Sequence, residues 1–266
     1  MGKHGHHDAE AQAAGSSSFP PPPPPPATVA GGGGGGGEVA CPYLIERPEL
    51  RWAFIRKVYA IVAMQLVVTV AVAAAFYSVP AIRRFFLART PASLAAFVAV
   101  IVAPLIVMLP TMFLRKKHPI NLVLLAMFTI CMSCAIALGC LSVKAGIVII
   151  EAASLTFAVV LGLTLYTFCA AERGHDFSFL RPFLVAAFLV LVLYGFIQML
   201  LPMGKVGTTV FGCAAALVFS GFIIYDTDNL IKRHAYDEYV AAAISLYLDT
   251  VNVFMAVVTA LDASDS

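Results

Sequence analysis

Two aspartates lie inside the last two apolar stretches of this chain, Asp226 in SGFIIYDTDNLI and Asp249 in ISLYLDTVNVF. A charged side chain near the middle of a bilayer costs about 2.5–3.5 kcal/mol, so such a carboxylate indicates function. The midpoint between them is about residue 237, in the polar turn 232–238. In an antiparallel helical hairpin with its apex there, both residues have the same depth, which predicts that the carboxyl groups meet.

Two carboxyl groups in contact at low dielectric cannot both ionise cheaply, so the pair is expected to share one proton and to titrate as a unit. When that proton is lost, two oxygen-rich anions remain, and Ca²⁺ prefers oxygen ligands. We therefore interpret Asp226 and Asp249 as a pH sensor in an ion pathway and as ligands for Ca²⁺. No resident cofactor is expected.

The composition indicates the elements that must position this pair, since 61% of the residues are hydrophobic and only 12% are charged. Such values exclude an ordinary soluble domain. Runs of about 20 apolar residues predict membrane-spanning helices. The predicted spans are about 58–79, 92–114, 120–143, 146–170, 182–201, 206–225 and 239–261. The chain is thus predicted to be an all-α polytopic membrane protein with a seven-helix transmembrane domain over residues 46–266.

Basic residues are unevenly distributed between alternate connections, which predicts the orientation. The connections on the N-terminal side carry Arg47, Arg51, Arg56, Lys57, Arg115, Lys116, Lys117, Arg173, Arg181, Lys232 and Arg233, whereas the other side has Arg83, Arg84, Arg89, Lys144 and Lys205. The N-terminus is therefore predicted to be cytoplasmic. The sequence leaves open whether the span that carries Asp249 crosses the bilayer or re-enters it.

Residues 1–45 form a tail of different composition, with a proline run at Pro20 to Pro26 and a glycine run at Gly31 to Gly37. It has few large apolar side chains to bury, so we predict that it is disordered, with a stiff proline segment and a flexible glycine tether. The proline run is either the docking segment for an SH3 or WW-type partner or part of an inert tail.

Other charged residues have two interpretations each. Asp228 and Glu238 lie close to the predicted pair and are candidate ligands where an ion would enter, although solvated charges near helix ends are common. Glu151 is either a carboxylate inside the bundle or an interfacial residue near a helix N-terminus. Arg115, at the cytoplasmic end of the second span, is either a cationic partner of the aspartate pair or a positive-inside anchor.

The segments GFIIYDTDNLIKRHAYDEYVAAAISLYLDTVNVF and ERGHDFSFL, the latter at residues 172–180, resemble the Bax inhibitor-1 superfamily. The resemblance extends from about residue 45 to the end and is strongest to the Lifeguard branch and the plant BI1-like proteins. It implies a seven-helix bundle with the last helix at its centre, suppression of programmed cell death and a Ca²⁺ leak from internal stores. It also implies that Asp226 and Asp249 form a pH-sensitive pair latched by Arg115. The chain lacks a lysine cluster after Leu261, so a function that depends on that cluster is not implied.

The resulting expectation is a pH-sensitive Ca²⁺ leak channel of intracellular membranes, with the endoplasmic reticulum or Golgi favoured over vacuolar and plasma membranes. The alternative is a non-conducting scaffold that regulates cell death by binding other membrane proteins. No enzymatic activity is expected. Intramembrane aspartyl proteases carry a glycine before their second aspartate, where this chain has Tyr247 and Leu248, and a later proline motif, whereas this chain has no proline after Pro202.

Overall fold

The computed structural model describes residues 48–88, 90–114, 117, 119–143, 146–201 and 204–265. The tail over residues 1–45, with its proline run, and Arg115 lie outside the described residues. Within the described ranges the chain forms helices and no strand. The helices are α1 (Pro48–Ser78), α2 (Pro80–Leu87), α3 (Pro91–Leu114), α4 (Ile120–Leu141), α5 (Gly146–Glu172), α6 (Leu180–Leu200), α7 (Gly204–Lys232), a 3₁₀ turn (Tyr236–Glu238) and α8 (Tyr239–Asp265).

Seven helices of the described part are long and apolar enough to cross a membrane, which confirms the predicted seven-span, all-α fold. Two of them extend well beyond the predicted apolar runs. Helix α1 begins at Pro48 and α7 continues to Lys232. Both extensions are rich in charged residues, which interrupt a count of apolar residues but do not interrupt a helix whose end is stabilised by other elements.

The short helix α2 was not predicted. Its first residue is Pro80, and the fixed backbone angle of proline suits the first position of a helix. Its sequence PAIRRFFL places arginines beside phenylalanines, and the ring of Phe86 stacks on Phe76 of α1 at 6.3 Å between centroids. A short helix with both basic and aromatic residues is typical of one that lies at a membrane surface.

Helix α8 is the central helix of the bundle, as the family resemblance implies. It packs against α1, α4, α5 and α7 and is buried along most of its length. The helices around it expose large apolar side chains, such as Val67, Leu105, Phe157, Phe183 and Leu217, which suits contact with lipid. Because α8 is continuous over 27 residues, it is about 40 Å long, which is enough for a complete crossing.

Helices α7 and α8 approach closely at Gly212. A Cβ atom at this position would lie 2.7 Å from both the carbonyl oxygen of Ala256 and the backbone nitrogen of Ala260. Only glycine therefore allows the two backbones to pack at this distance, a use of small residues that is common between membrane helices. The contact fixes how α7 and α8 lie against each other, and these are the helices that carry the two aspartates.

Candidate functional site

The structure brings the carboxyl groups of Asp226 and Asp249 together, within hydrogen-bonding reach of each other. Asp226 lies in α7 and Asp249 in α8, and the turn at residues 233–238 reverses the chain between them. Asp249 is 7% exposed, so one of the two carboxyl groups is buried in the packed interface. One proton between the two groups would make this contact a hydrogen bond; without it, the contact is between two anions.

The surroundings of the two carboxyl groups are unequal. The side chains of Asn229 and Ser245 are within hydrogen-bonding reach of Asp226, and the imidazole of His234 is also close enough to interact with its charge. For Asp249, in contrast, Asp226 is the only side-chain partner among the described residues, and its Oδ2 atom accepts no hydrogen bond from them. Donors favour an anion, so a single proton on the pair would be better placed on Asp249 and the charge on Asp226.

Sequence reasoning missed Asn229 and Ser245, although the spacing contained the signal. Asn229 lies three residues after Asp226 in α7, and Ser245 lies four residues before Asp249 in α8. Residues three or four apart share one face of a helix. Asn229 and Ser245 therefore lie on the helix faces that carry the aspartates, and their spacing could have indicated this.

Asp228 is fully buried and belongs to a second network, so it is not a solvated charge at a helix end. Its Oδ1 lies 2.6 Å from Nζ of Lys232, and its Oδ2 accepts a hydrogen bond of 3.4 Å from the backbone N–H of Phe177. The same ammonium group donates to the carbonyl oxygen of His175. Asp228 thus ties the connection between α5 and α6 to the end of α7, and its role as an ion ligand stays a prediction.

The connection between α5 and α6 has a further ion pair, in which Arg233 donates to Asp176 at 2.9 Å. Burial raises the pKa of Asp176, but hydrogen bonds from the N–H and hydroxyl of Ser178 and the charges of Arg233 and Lys232 outweigh it and lower the pKa overall. Asp176 stays ionised at neutral pH. The ERGHDFSFL motif therefore serves to dock this connection on α7.

Arg51 of α1 holds the turn between α7 and α8. Its guanidinium donates to the carbonyl oxygens of Ile231, at 2.7 Å, and His234, at 2.6 Å, and is flanked by the rings of Phe54 and Tyr236. Carbonyl groups in the last turn of a helix have no partner within the helix and attract cations. The sequence indicated Arg51 only as a positive-inside residue, since its partners lie about 180 residues away.

His234 and Glu238 lie in the turn itself. Nδ1 of His234 is 3.6 Å from Oε2 of Glu238. Burial lowers the pKa of His234 below its ordinary value, and the negative charges of Glu238 and Asp226 oppose this only in part. His234 is therefore neutral at neutral pH. Its contact with Glu238 lies within the turn that joins the two aspartate helices.

Replacing His234 by glutamine is expected to make the free energy of unfolding less dependent on pH. The unfolded chain, in which the pKa of histidine is about 6.5, binds the proton before the folded protein does. Stability therefore falls as the pH is lowered through that value, and His234→Gln removes this part of the loss. Unfolding in mixed micelles at about pH 7, 6 and 5 measures the effect. His175→Gln is the matched control, since His175 is exposed; equal pH slopes in the two variants would contradict the assignment to burial.

Of the two remaining predicted residues, the structure describes only Glu151, which does not join the pair. Glu151 is exposed on α5, which corrects its prediction as a carboxylate inside the bundle and favours the interfacial alternative. Arg115 would directly follow the end of α3, outside the described residues. The beginning of α4 is beside the beginning of α8, since the amide of Asn121 donates to the hydroxyl of Tyr239 at 3.0 Å. The role of Arg115 as a latch stays a prediction.

Comparison with known proteins relates this chain to a membrane family. Residues 51–266 match the model of the family described as "Inhibitor of apoptosis-promoting Bax1". The chain is 52% identical to Protein LIFEGUARD 2 of Arabidopsis thaliana over 225 residues, which cover 85% of this chain and 93% of that protein. It is 43% identical to the BI1-like protein of Arabidopsis thaliana over 218 residues, covering 82% and 83%. It is 37% identical to the Golgi anti-apoptotic protein of Vaccinia virus (strain Lister) over 216 residues, covering 81% and 87%.

Proposed function

Because this chain belongs to the family of inhibitors of apoptosis-promoting Bax1, we propose that it restrains programmed cell death by controlling a Ca²⁺ leak through an intracellular membrane. The observation that carries the proposal is the buried contact between the carboxyl groups of Asp226 and Asp249, at the junction of two membrane-spanning helices. The name of the viral relative supports an anti-apoptotic role and a Golgi location. The proposal includes the endoplasmic reticulum as the other favoured membrane and assigns no enzymatic reaction.

The proposed mechanism starts from the shared proton. With the proton present, the carboxyl of Asp249 donates to Asp226 and holds α8 against α7. Without it, two unit charges about 4 Å apart repel each other by about 4 kcal/mol at an effective dielectric of about 20. This repulsion is relieved when the helices separate or when a cation binds between the carboxylates, so the leak is expected to increase as the pH rises.

The oxygen atoms around the pair fit Ca²⁺ as the transported ion. The two carboxylates, the side-chain oxygen of Asn229 and the hydroxyl of Ser245 are the kind of ligands that hard cations prefer. We further propose Arg115 as the cation that neutralises the pair when no Ca²⁺ is present, which the family resemblance supports. We also propose a cytoplasmic N-terminus, which the distribution of basic residues supports. Membrane proteins of the cell-death machinery are the proposed partners.

Ca²⁺ flux into liposomes that contain the purified protein tests the proposal across about pH 5 to 8. The double variant Asp226→Asn, Asp249→Asn keeps the size of both side chains and removes both charges. We expect a flux that depends on pH in the wild type and does not in the double variant. Asp265→Asn is the matched control, since it makes the same chemical change at the exposed end of α8.

Two outcomes would overturn the proposal. A correctly folded wild-type protein with no flux above that of empty liposomes at any pH would exclude the leak. A double variant that keeps the pH profile of the wild type would exclude the pair as its sensor. If the flux is absent but protection from cell death persists in the double variant, the non-conducting scaffold becomes the better explanation.

A further inference from the structure

A cavity of about 370 Å³ lies at the end of the bundle opposite the turn that joins α7 and α8. It is bounded by the end of α4, the beginning of α7 and the end of α8. Its polar lining comes from Ser142, Lys205, Thr208, Thr259 and Asp262. The rest of its lining is apolar, so these five side chains are the part of the cavity suited to hold water and small ions.

Tight apolar packing between α4 and α8 lines the inner side of this cavity. Gly139 of α4 and Met255 of α8 both line it, and a Cβ atom at position 139 would lie 2.6 Å from the terminal methyl group of Met255. The buried side chains of Ile136 and Val251 belong to the same apolar cluster as Met255. Apolar constrictions of this kind close ion pathways by excluding water.

Deeper between α1, α4 and α8 is a buried group of oxygen atoms. The hydroxyl of Thr69 is 2.9 Å from that of Tyr247 and 3.0 Å from that of Ser133. The amide of Gln65 donates to Thr129 at 3.0 Å, and its Oε1 atom accepts no hydrogen bond from any described residue. We call these five side chains the oxygen cluster.

Counting protons shows what the oxygen cluster can bind. The hydroxyl of Thr69 donates to the carbonyl of Gln65, and that of Ser133 donates to the carbonyl of Thr129. The proton of Tyr247 is then the only one left for the contacts among these three hydroxyls. The cluster has more acceptors than donors, so it favours water or a cation over an anion.

We propose that the interface between α4 and α8 is a cation route, in which Met255 on Gly139 is an apolar gate between the cavity and the oxygen cluster. The proposal rests on the proposed leak and specifies its path. Along α4, Ser133 is six residues from Gly139, about 9 Å, so the apolar barrier is short.

The route is connected to the aspartate pair through α8. Tyr247 and Asp249 are two residues apart, which places them about 200° apart around the helix and at nearly the same depth. Asp249 faces α7, whereas Tyr247 faces α1 and α4. A rotation or shift of α8 when the pair loses its proton therefore also moves the oxygen cluster and Met255.

Truncating Met255 is expected to open the gate. In a variant without the six native cysteines, Ser133→Cys places a thiol in the oxygen cluster, and its reaction with a cationic methanethiosulfonate reagent in mixed micelles measures water access. We expect Met255→Ala to increase this rate and the Ca²⁺ flux in liposomes on the order of tenfold, equivalent to a barrier lower by about 1.4 kcal/mol. Gly139→Ala, which fills the constriction, is expected to decrease both.

Met127→Ala is the matched control, since Met127 is 48% exposed on α4, and it should change neither rate. If Met255→Ala does not fold, the decrease expected for Gly139→Ala decides the question. Unchanged thiol and flux rates in a protein whose flux still depends on Asp226 and Asp249 would overturn this route and leave the leak intact. If the wild type conducts nothing, the proposed leak fails, and the cation route that rests on it fails as well.

Discussion

Replacing Gly212 by alanine should lower the free energy of unfolding by about 2–3 kcal/mol, the upper part of the range for overpacked sites. The new methyl group would lie 2.7 Å from the backbone of Ala256 and 2.9 Å from Cα of Ala260. These are main-chain atoms, so no side-chain rotation relieves the contact, and α7 must move away from α8. Unfolding by denaturant in mixed micelles measures the change.

Gly162 provides the control, because a Cβ atom there would have no neighbour within 4 Å. Gly162→Ala should be neutral or stabilising by up to about 1 kcal/mol, since alanine is the better helix former. Equal effects at the two positions would mean that the contact between α7 and α8 does not limit the size of the residue at position 212. A second consequence is functional: separating these helices at Gly212 should also weaken the contact between Asp226 and Asp249.

The seven spans could be predicted because the bilayer imposes a simple rule. Its apolar thickness requires about 20 consecutive apolar residues in a helix, and the chain between residues 58 and 261 satisfies this seven times. The ends of the helices do not follow that rule. Helix α1 begins ten residues before the apolar run, since Arg51 and Phe54 are held there by contacts with the α7–α8 turn.

The aspartate pair could be predicted because it depends on one distance along the chain. Placing the turn at the midpoint between Asp226 and Asp249 is sufficient to bring them to one depth. The rest of the site depends on contacts between distant segments. The contact between Arg51 and Ile231 joins residues 180 positions apart, and the contact between Asp228 and Phe177 joins residues 51 positions apart. No local pattern in the sequence indicates such pairings.

The oxygen cluster could be predicted only in part from the sequence. Polar residues in an apolar span are typical of hydrogen bonds between helices, and the amide of Gln65 donates to the hydroxyl of Thr129. The identity of the partner helices could not be read from the sequence, because Thr69, Ser133 and Tyr247 come from three different spans. Helical periodicity gives the face of each residue but not which helix lies opposite.

Asp249→Asn should reduce the Ca²⁺ flux at about pH 8 by about 10- to 100-fold, the equivalent of one hydrogen bond to a charged group. The amide of the new asparagine can donate to Asp226 permanently, as the protonated carboxyl does, and no pH change removes this donor. Asp226 then has donors from Asn229, Ser245 and the new amide. The helices are held together across the whole pH range, so the flux should be low and independent of pH.

Asp226→Asn should reduce the flux less, although it makes the same substitution in the other half of the pair. The remaining charge is then on Asp249, which has only residue 226 as a described side-chain partner and lacks the bonds from Asn229 and Ser245. A buried anion with a single donor stabilises the closed contact less than one with three. Ser245→Ala, added to each variant, separates this explanation from a general effect of asparagine. It should reduce the difference in Ca²⁺ flux between Asp249→Asn and Asp226→Asn. A lower Ca²⁺ flux in Asp226→Asn than in Asp249→Asn would place the charge of the wild-type pair on Asp249 and the proton on Asp226.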